Sequence, residues 1–148
     1  MTGTIKLRKY CITMVVLLVA IAGCIASPVT AKASKKAVYE SALQKIKTNE
    51  YAAIKSVKIK GRTLTIKGSF YKASSRKKIF RDNRQFLKYK TRKFKLTKNC
   101  KFYGTGGDGP RIKYTKKTFF KIAKQYNGLG LVLYTNKSGK VYRADLAS

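Results

Sequence analysis

"IKSVKIKGRTLTIKGSFY", residues 54–71, decides the fold class. Val57 and Ile59 share one face, as do Leu64, Ile66, Gly68 and Phe70. Lys58, Lys60, Thr63, Thr65 and Lys67 take the other. A strict period of two on both sides of a turn, "KGR" around Gly61, predicts a β-hairpin with one dry and one wet face.

The rest of the fold reads outward from that hairpin. "FKLTKNCKFY", residues 94–103, predicts a third strand. Thr115 is a helix N-cap, Phe119, Ile122, Ala123 and Tyr126 line one helical face, and Asn127-Gly128 is a stop signal. "LGLVLYTNKSGKVYRADL" predicts two more strands, Leu129–Thr135 and Lys140–Leu146, joined by a turn at Asn136–Gly139. Before the hairpin, Val38, Ala42 and Ile46, with Tyr39 and Leu43, fall at three- and four-residue spacing and predict an amphipathic helix over 35–48. Between the hairpin and the third strand, residues 72–93 hold ten basic residues and one acid. They read as a long basic connection with a helical turn near Asn83–Lys88. The predicted class is α+β. It is a small five-stranded, mostly antiparallel sheet or a partly open OB-like barrel, ordered β-β-β-α-β-β and preceded by an N-terminal helix.

Residues 1–33 read as a secretory signal peptide. Lys6, Arg8 and Lys9 precede an apolar run from Cys11 to Ala26, Pro28 breaks that run, and Ala31-Lys32-Ala33 offers small residues to a peptidase. Cleavage is expected between Ala33 and Ser34, leaving one basic domain over 34–148. The run of 16 residues is short for a membrane span. A second reading stays open. "Ile21-Ala22-Gly23-Cys24" resembles a lipobox, which would lipidate Cys24 and anchor the protein to the membrane. After cleavage at Ala33 only Cys100 remains. Its alternation with Phe94, Leu96 and Phe102 places it on an apolar strand face, as a small core hydrophobe.

The chain has 148 residues, with 35 Lys and Arg against 5 acids and no His, a formal charge of +30. Loss of residues 1–33 removes Lys6, Arg8, Lys9 and Lys32 and leaves +26. Apolar residues make up 44%, and 10 Tyr with 7 Phe can fill a core, so this is a folded domain with a cationic surface. Without His, Ser-His-Asp and Cys-His sites are excluded. The acids Glu40, Glu50, Asp82, Asp108 and Asp145 lie far apart in sequence, which gives no signature for paired-carboxylate or metal chemistry. A literal G-x-G-x-x-G at Gly104, Gly106 and Gly109 lacks the context of a dinucleotide site. Pro110 follows it, the next helix waits until Thr115, and the only acid downstream is Asp145. It reads as a turn, and a lone Asp108 cannot make it a calcium loop.

The "AKA" signal end, the "FKL…CKFYG" and "LGLVL" strands and the final "SGKVY" hairpin resemble small secreted proteins of Gram-positive anaerobes. No activity is established for that group, so the resemblance implies export and nothing about mechanism. Charge supplies the functional expectation. A small domain at +26 binds polyanions through many Lys and Arg contacts with counterion release. The leading expectation is a non-enzymatic, monomeric, cofactor-free protein, secreted or cell-wall associated. Its partners would be anionic polymers: teichoic acid, anionic lipid, extracellular nucleic acid or glycan. The candidate contacts are Arg76, Lys77, Lys78, Arg81, Arg84, Lys88, Lys90, Arg92 and Lys93. One alternative is single-strand nucleic-acid binding on an OB-like sheet, with Tyr71, Phe80, Tyr89 or Tyr103 exposed for stacking. Another is an enzyme or inhibitor of unrecognised type.

Overall fold

The structure, a computed structural model, describes residues 35–106 and 109–148. The signal-peptide and lipobox residues Cys24, Ala33 and Ser34, and Asp108 of the glycine-rich stretch, lie outside the described residues. Seven strands form one sheet: β1 (Ala37–Leu43), β2 (Ala53–Lys60), β3 (Thr63–Ala73), β4 (Gln85–Thr105), β5 (Ile112–Tyr114), β6 (Gly130–Thr135) and β7 (Val141–Ala147). Two helices interrupt them, α1 (Arg76–Ile79) and α2 (Lys116–Ala123).

The hairpin forms as its alternation requires, with β2 and β3 antiparallel from Lys60↔Thr63 to Ile54↔Gly68. Gly61 takes φ +56° in its turn, a region that a side chain disfavours. The predicted α2 is present. Its Thr115 hydroxyl accepts from the Thr118 N–H at 3.1 Å. It buries Phe119, Phe120 and Ala123. The Phe102 ring lies 5.1 Å from Phe119 and 5.8 Å from Phe120, and burying each ring stabilises the fold by about 2 kcal/mol.

Three expectations are corrected. The sheet has seven strands, not five. Residues 37–43, expected within a helix, are strand β1, paired with both β3 and β6. Both faces of this strand are covered. Leu43 and Tyr39 meet the main core, whereas Val38 joins Ile79, Val132 and Tyr134 in a second cluster beneath α1. A strand apolar on both faces loses its period of two, which is why it mimicked a helix. Finally, residues 72–93 are not a connection. β3 runs on to Ala73, α1 occupies Arg76–Ile79, and β4 starts at Gln85, nine residues before the expected strand.

The pairing closes on itself. β1 pairs β3, β3 pairs β4, β4 pairs β7 in parallel, β7 pairs β6, and β6 returns to β1. β2 flanks β3 and β5 flanks β4. Leu64, Ile66, Phe70, Phe94, Leu131, Val141 and α2 fill the interior.

Two glycines lie where a side chain would meet a neighbour, Gly68 against backbone and Gly104 against the end of a tyrosine ring. A Cβ on Gly68 would stand 2.6 Å from the Ala53 carbonyl oxygen. A Cβ on Gly104 would stand 2.5 Å from the Tyr114 ring. Gly104 lies in β4, and the Gly109 N–H donates to the Gly106 carbonyl at 2.9 Å.

Candidate polyanion-binding face

The outer side of β2, β3 and β4 is built by register. Lys60 stands opposite Thr63, and Thr63 opposite Lys95. One step along, Lys58 faces Thr65, and Thr65 faces Lys93. In the next row Ser56 faces Lys67, and Lys67 faces Thr91. The result is a checkerboard: Lys–Thr–Lys twice, then Ser–Lys–Thr. No two of these lysines are direct cross-strand neighbours, an arrangement that avoids the destabilisation of like charges placed directly opposite. All five lysines are exposed and the face holds no acid. The Lys95 ammonium donates to the Thr63 hydroxyl at 3.1 Å.

This face runs into a cleft of about 700 Å³. Its cations are Arg62, Lys95, Lys98 and Lys140, and Thr63, Thr97, Asn136 and Ser138 add polar groups. Two turns frame it. One is the β2–β3 turn at Gly61. The other is Asn136–Gly139, where the Asn136 Oδ1 accepts from the N–H groups of Ser138 and Lys140, each at 3.0 Å.

The nine basic residues expected from sequence are divided by the structure. Lys93 lies in the checkerboard. Lys77, Lys78, Arg81, Lys88 and Lys90 are exposed outside it. The remaining three arginines are engaged. Arg92 donates to the carbonyls of Gly68 (2.7 Å) and Lys88 (2.8 Å), beside the register shift between Gly68 and Phe70, and lies over the Phe70 ring. Burial pushes its pKa below the ordinary value. Arg84 stacks 3.7 Å above the Tyr71 ring and donates to the Ile79 carbonyl. Arg76 lies 3.7 Å from Asp145 and donates to the Tyr134 hydroxyl at 3.4 Å. Sequence reasoning missed Lys58, Lys60, Lys67 and Lys95 as contacts. The hairpin alternation had already put the first three on the wet face. What it lacked was the register with β4.

The outer side of β1, β6 and β7 is different. Asp145 is fully buried there, taking hydrogen bonds from Arg143 Nε at 2.7 Å and from its Nη2. That pairing raises the Arg143 pKa, and the same guanidinium lies 4.6 Å from the Tyr134 ring centre. Glu40 is half-buried nearby. Desolvation raises its pKa despite the opposing pull of Arg76 and Arg84.

Compared with known proteins, the chain matches no family model, no curated protein and no solved structure.

The four expected stacking residues are not on the checkerboard. Tyr71 is half-buried under Arg84, and Tyr89 is half-buried with the Lys47 ammonium 5.7 Å from its ring. Tyr103 has Arg111 and Arg143 each at 5.4 Å. Phe80 is exposed beside α1. Cys100 is half-buried against the core, and burial pushes its thiol up to about 11, so little reactive thiolate forms near neutrality.

Proposed function

We propose that this is a non-enzymatic exported domain that binds anionic polymers of the cell envelope through the β2–β3–β4 face and its adjoining cleft. One observation carries the reading: five exposed lysines alternate with hydroxyl residues in register, with no acid among them. Ammonium groups spaced along strands suit a linear partner with repeating charge, and the hydroxyls between them can donate to its oxygens. Export rests on the signal-like residues 1–33. The test is retention on purified cell walls across a salt series, with Lys58, Lys60, Lys93 and Lys95 all changed to Gln as the comparison. Retention of the native protein should fall steeply with salt, and the variant should be retained poorly at every salt concentration. Equal retention at low and high salt overturns the reading.

The topology favours a second reading. With β1 and β2 taken as one broken first strand, the order and the parallel β4–β7 pair suit an OB-like barrel, a fold that binds oligonucleotides on this face. The lysine rows themselves carry no aromatic residue, and the rings further along the outer side of β3 and β4, Tyr71, Phe86 and Tyr89, are half-buried, with Tyr71 covered by Arg84, whereas stacking is the main sequence-tolerant contact to single strands. Single-stranded DNA that binds more tightly than an equally charged polyphosphate would move the assignment to nucleic acid.

A further inference from the structure

The lysine face has a direction. Thr63 and Thr65 lie on β3, with Lys60 and Lys58 beside them on β2 and Lys95 and Lys93 on β4. Two rails of ammonium groups therefore flank a floor of hydroxyls, and the rails are two strand spacings apart, about 10 Å. The threonines are half-buried and the lysines exposed, so the hydroxyls lie deeper than the ammonium groups.

Rails and floor differ in rigidity. A lysine ammonium moves on a flexible stem, whereas threonine is branched at Cβ and stiff at χ1. The floor, not the rails, fixes the repeat. Its hydroxyls recur at every second residue of β3, about 7 Å. At Thr63 floor and rail meet. The hydroxyl accepts from the Lys95 ammonium at 3.1 Å, which leaves its own proton to donate outward.

Both ends continue the pattern. Lys67 comes next on the outer side of β3. At the Thr63 end the rows open into the cleft, where Arg62, Lys98 and Lys140 stand. The β4–β7 register shifts between Leu96 and Lys101, and Thr97 and Lys98 from that stretch border the cleft. Bulges re-aim side chains in this way. A chain laid along β3 thus meets cations beside it and at each end, and no acid among the described residues.

The geometry points to a polyol phosphate as the polymer: a chain of phosphodiesters joined by three-carbon units, lying along β3 with one phosphate at each row. This rests on the polymer-binding role proposed for the face and names its partner. Each phosphate is reached by a lysine from either side and by a threonine hydroxyl from below. Successive phosphorus atoms in such a chain are six bonds apart, about 7–8 Å when extended, which is close to the row repeat. Five-carbon units lengthen the path to eight bonds, about 10 Å, and fall out of step. Anionic glycans space their charges by sugar rings instead. A nucleic-acid strand has the same six-bond path, but its bases find no ring to stack on in these rows.

Competition titrations at fixed ionic strength test this. The probes are poly(glycerol phosphate), poly(ribitol phosphate), heparin and oligo-dT, matched in number of charges. Poly(glycerol phosphate) should bind about tenfold more tightly than each of the others, the difference made by one or two hydrogen bonds to a charged group. Thr63→Val with Thr65→Val should abolish that preference and leave heparin affinity and its salt dependence unchanged. Thr63→Ser with Thr65→Ser should keep most of it. Valine suits a strand as threonine does, so the variants are expected to fold, and a circular dichroism melt checks this. Should the valine pair not fold, Thr65→Val alone should remove part of the preference. Equal affinity for the four polymers overturns the inference while the polymer-binding reading stands, and so does a preference that survives the valine substitutions. Tighter binding of oligo-dT overturns it in favour of nucleic acid. Failure to bind any of the four at low salt ends both readings.

Discussion

On the outer side of β2–β3–β4 the cations are lysines, separated by threonine and left in water. Around α1, against β1, β3, β6 and β7, the arginines are engaged: Arg76, Arg84 and Arg143 each hold a carboxylate, a ring or a carbonyl. The difference follows from the two side chains. A guanidinium is planar, weakly hydrated and able to stack or fork, so it can be packed under α1. An ammonium is a strongly hydrated point charge and suits an open surface. The acids follow the same division. Glu40 and Asp145 lie on the arginine side, and the lysine side has neither. One face uses its charge to hold the fold together, and the other leaves it available to a partner.

Several measurements can break this contrast. The largest effect should come from Asp145→Asn, which leaves Arg143 and Arg76 without their buried counter-charge. A loss of about 1.5–3 kcal/mol is expected in urea unfolding, because the arginines left behind are partly exposed. A loss under about 1 kcal/mol would mean that the arginine face does not hold the fold. Next, replacing Lys58, Lys60, Lys93 and Lys95 by Gln should lower polyanion affinity about a hundredfold at low salt. The slope of log K against log salt should fall by about 0.7–0.9 for each phosphate that is no longer neutralised. The same variant should melt no lower than the native protein, because it relieves self-repulsion. A clear drop in its melting temperature would show that these lysines are structural.

Two smaller effects sharpen the picture. Ser41 is buried in β1 with its hydroxyl unpartnered among the described residues. Ser41→Ala should stabilise the protein by about 1 kcal/mol in the same unfolding assay. Glu40 has a folded pKa above its ordinary 4.5. Its ionised form is thus less favoured in the folded than in the unfolded chain. The stability linked to it is greatest below that ordinary value and declines as pH rises through the folded pKa. Glu40→Gln should therefore be slightly more stable than the native protein at neutral pH, with the gap closing at about pH 3. A gap that widens on acidification would reverse the sign.

Local pattern made part of this legible in the sequence. The hairpin showed because one face is dry and the other wet, and α2 showed because Thr115 and a four-residue apolar spacing agree. β1 misled because Val38 and Leu43 are buried on opposite faces, while Ile46, which completed the helical spacing, lies outside the strand and is exposed. The first half of β4 was hidden because Arg92 occupies a position paired with the buried Ile66, where alternation calls for an apolar residue. The binding face was half legible. Lys58, Lys60 and Lys67 were placed on the wet side, but their relation to Lys93 and Lys95 depends on pairing between segments about thirty residues apart.

The two identical Lys–Thr–Lys rows have a consequence for how a partner would move. They lie about 7 Å apart along the strands. A polymer displaced by one row meets the same side chains, so many alignments are nearly equal in energy. Such a surface has no preferred register. It would hold long chains more firmly than short ones simply because long chains offer more placements, and it would let a bound chain diffuse sideways in short steps without first coming off.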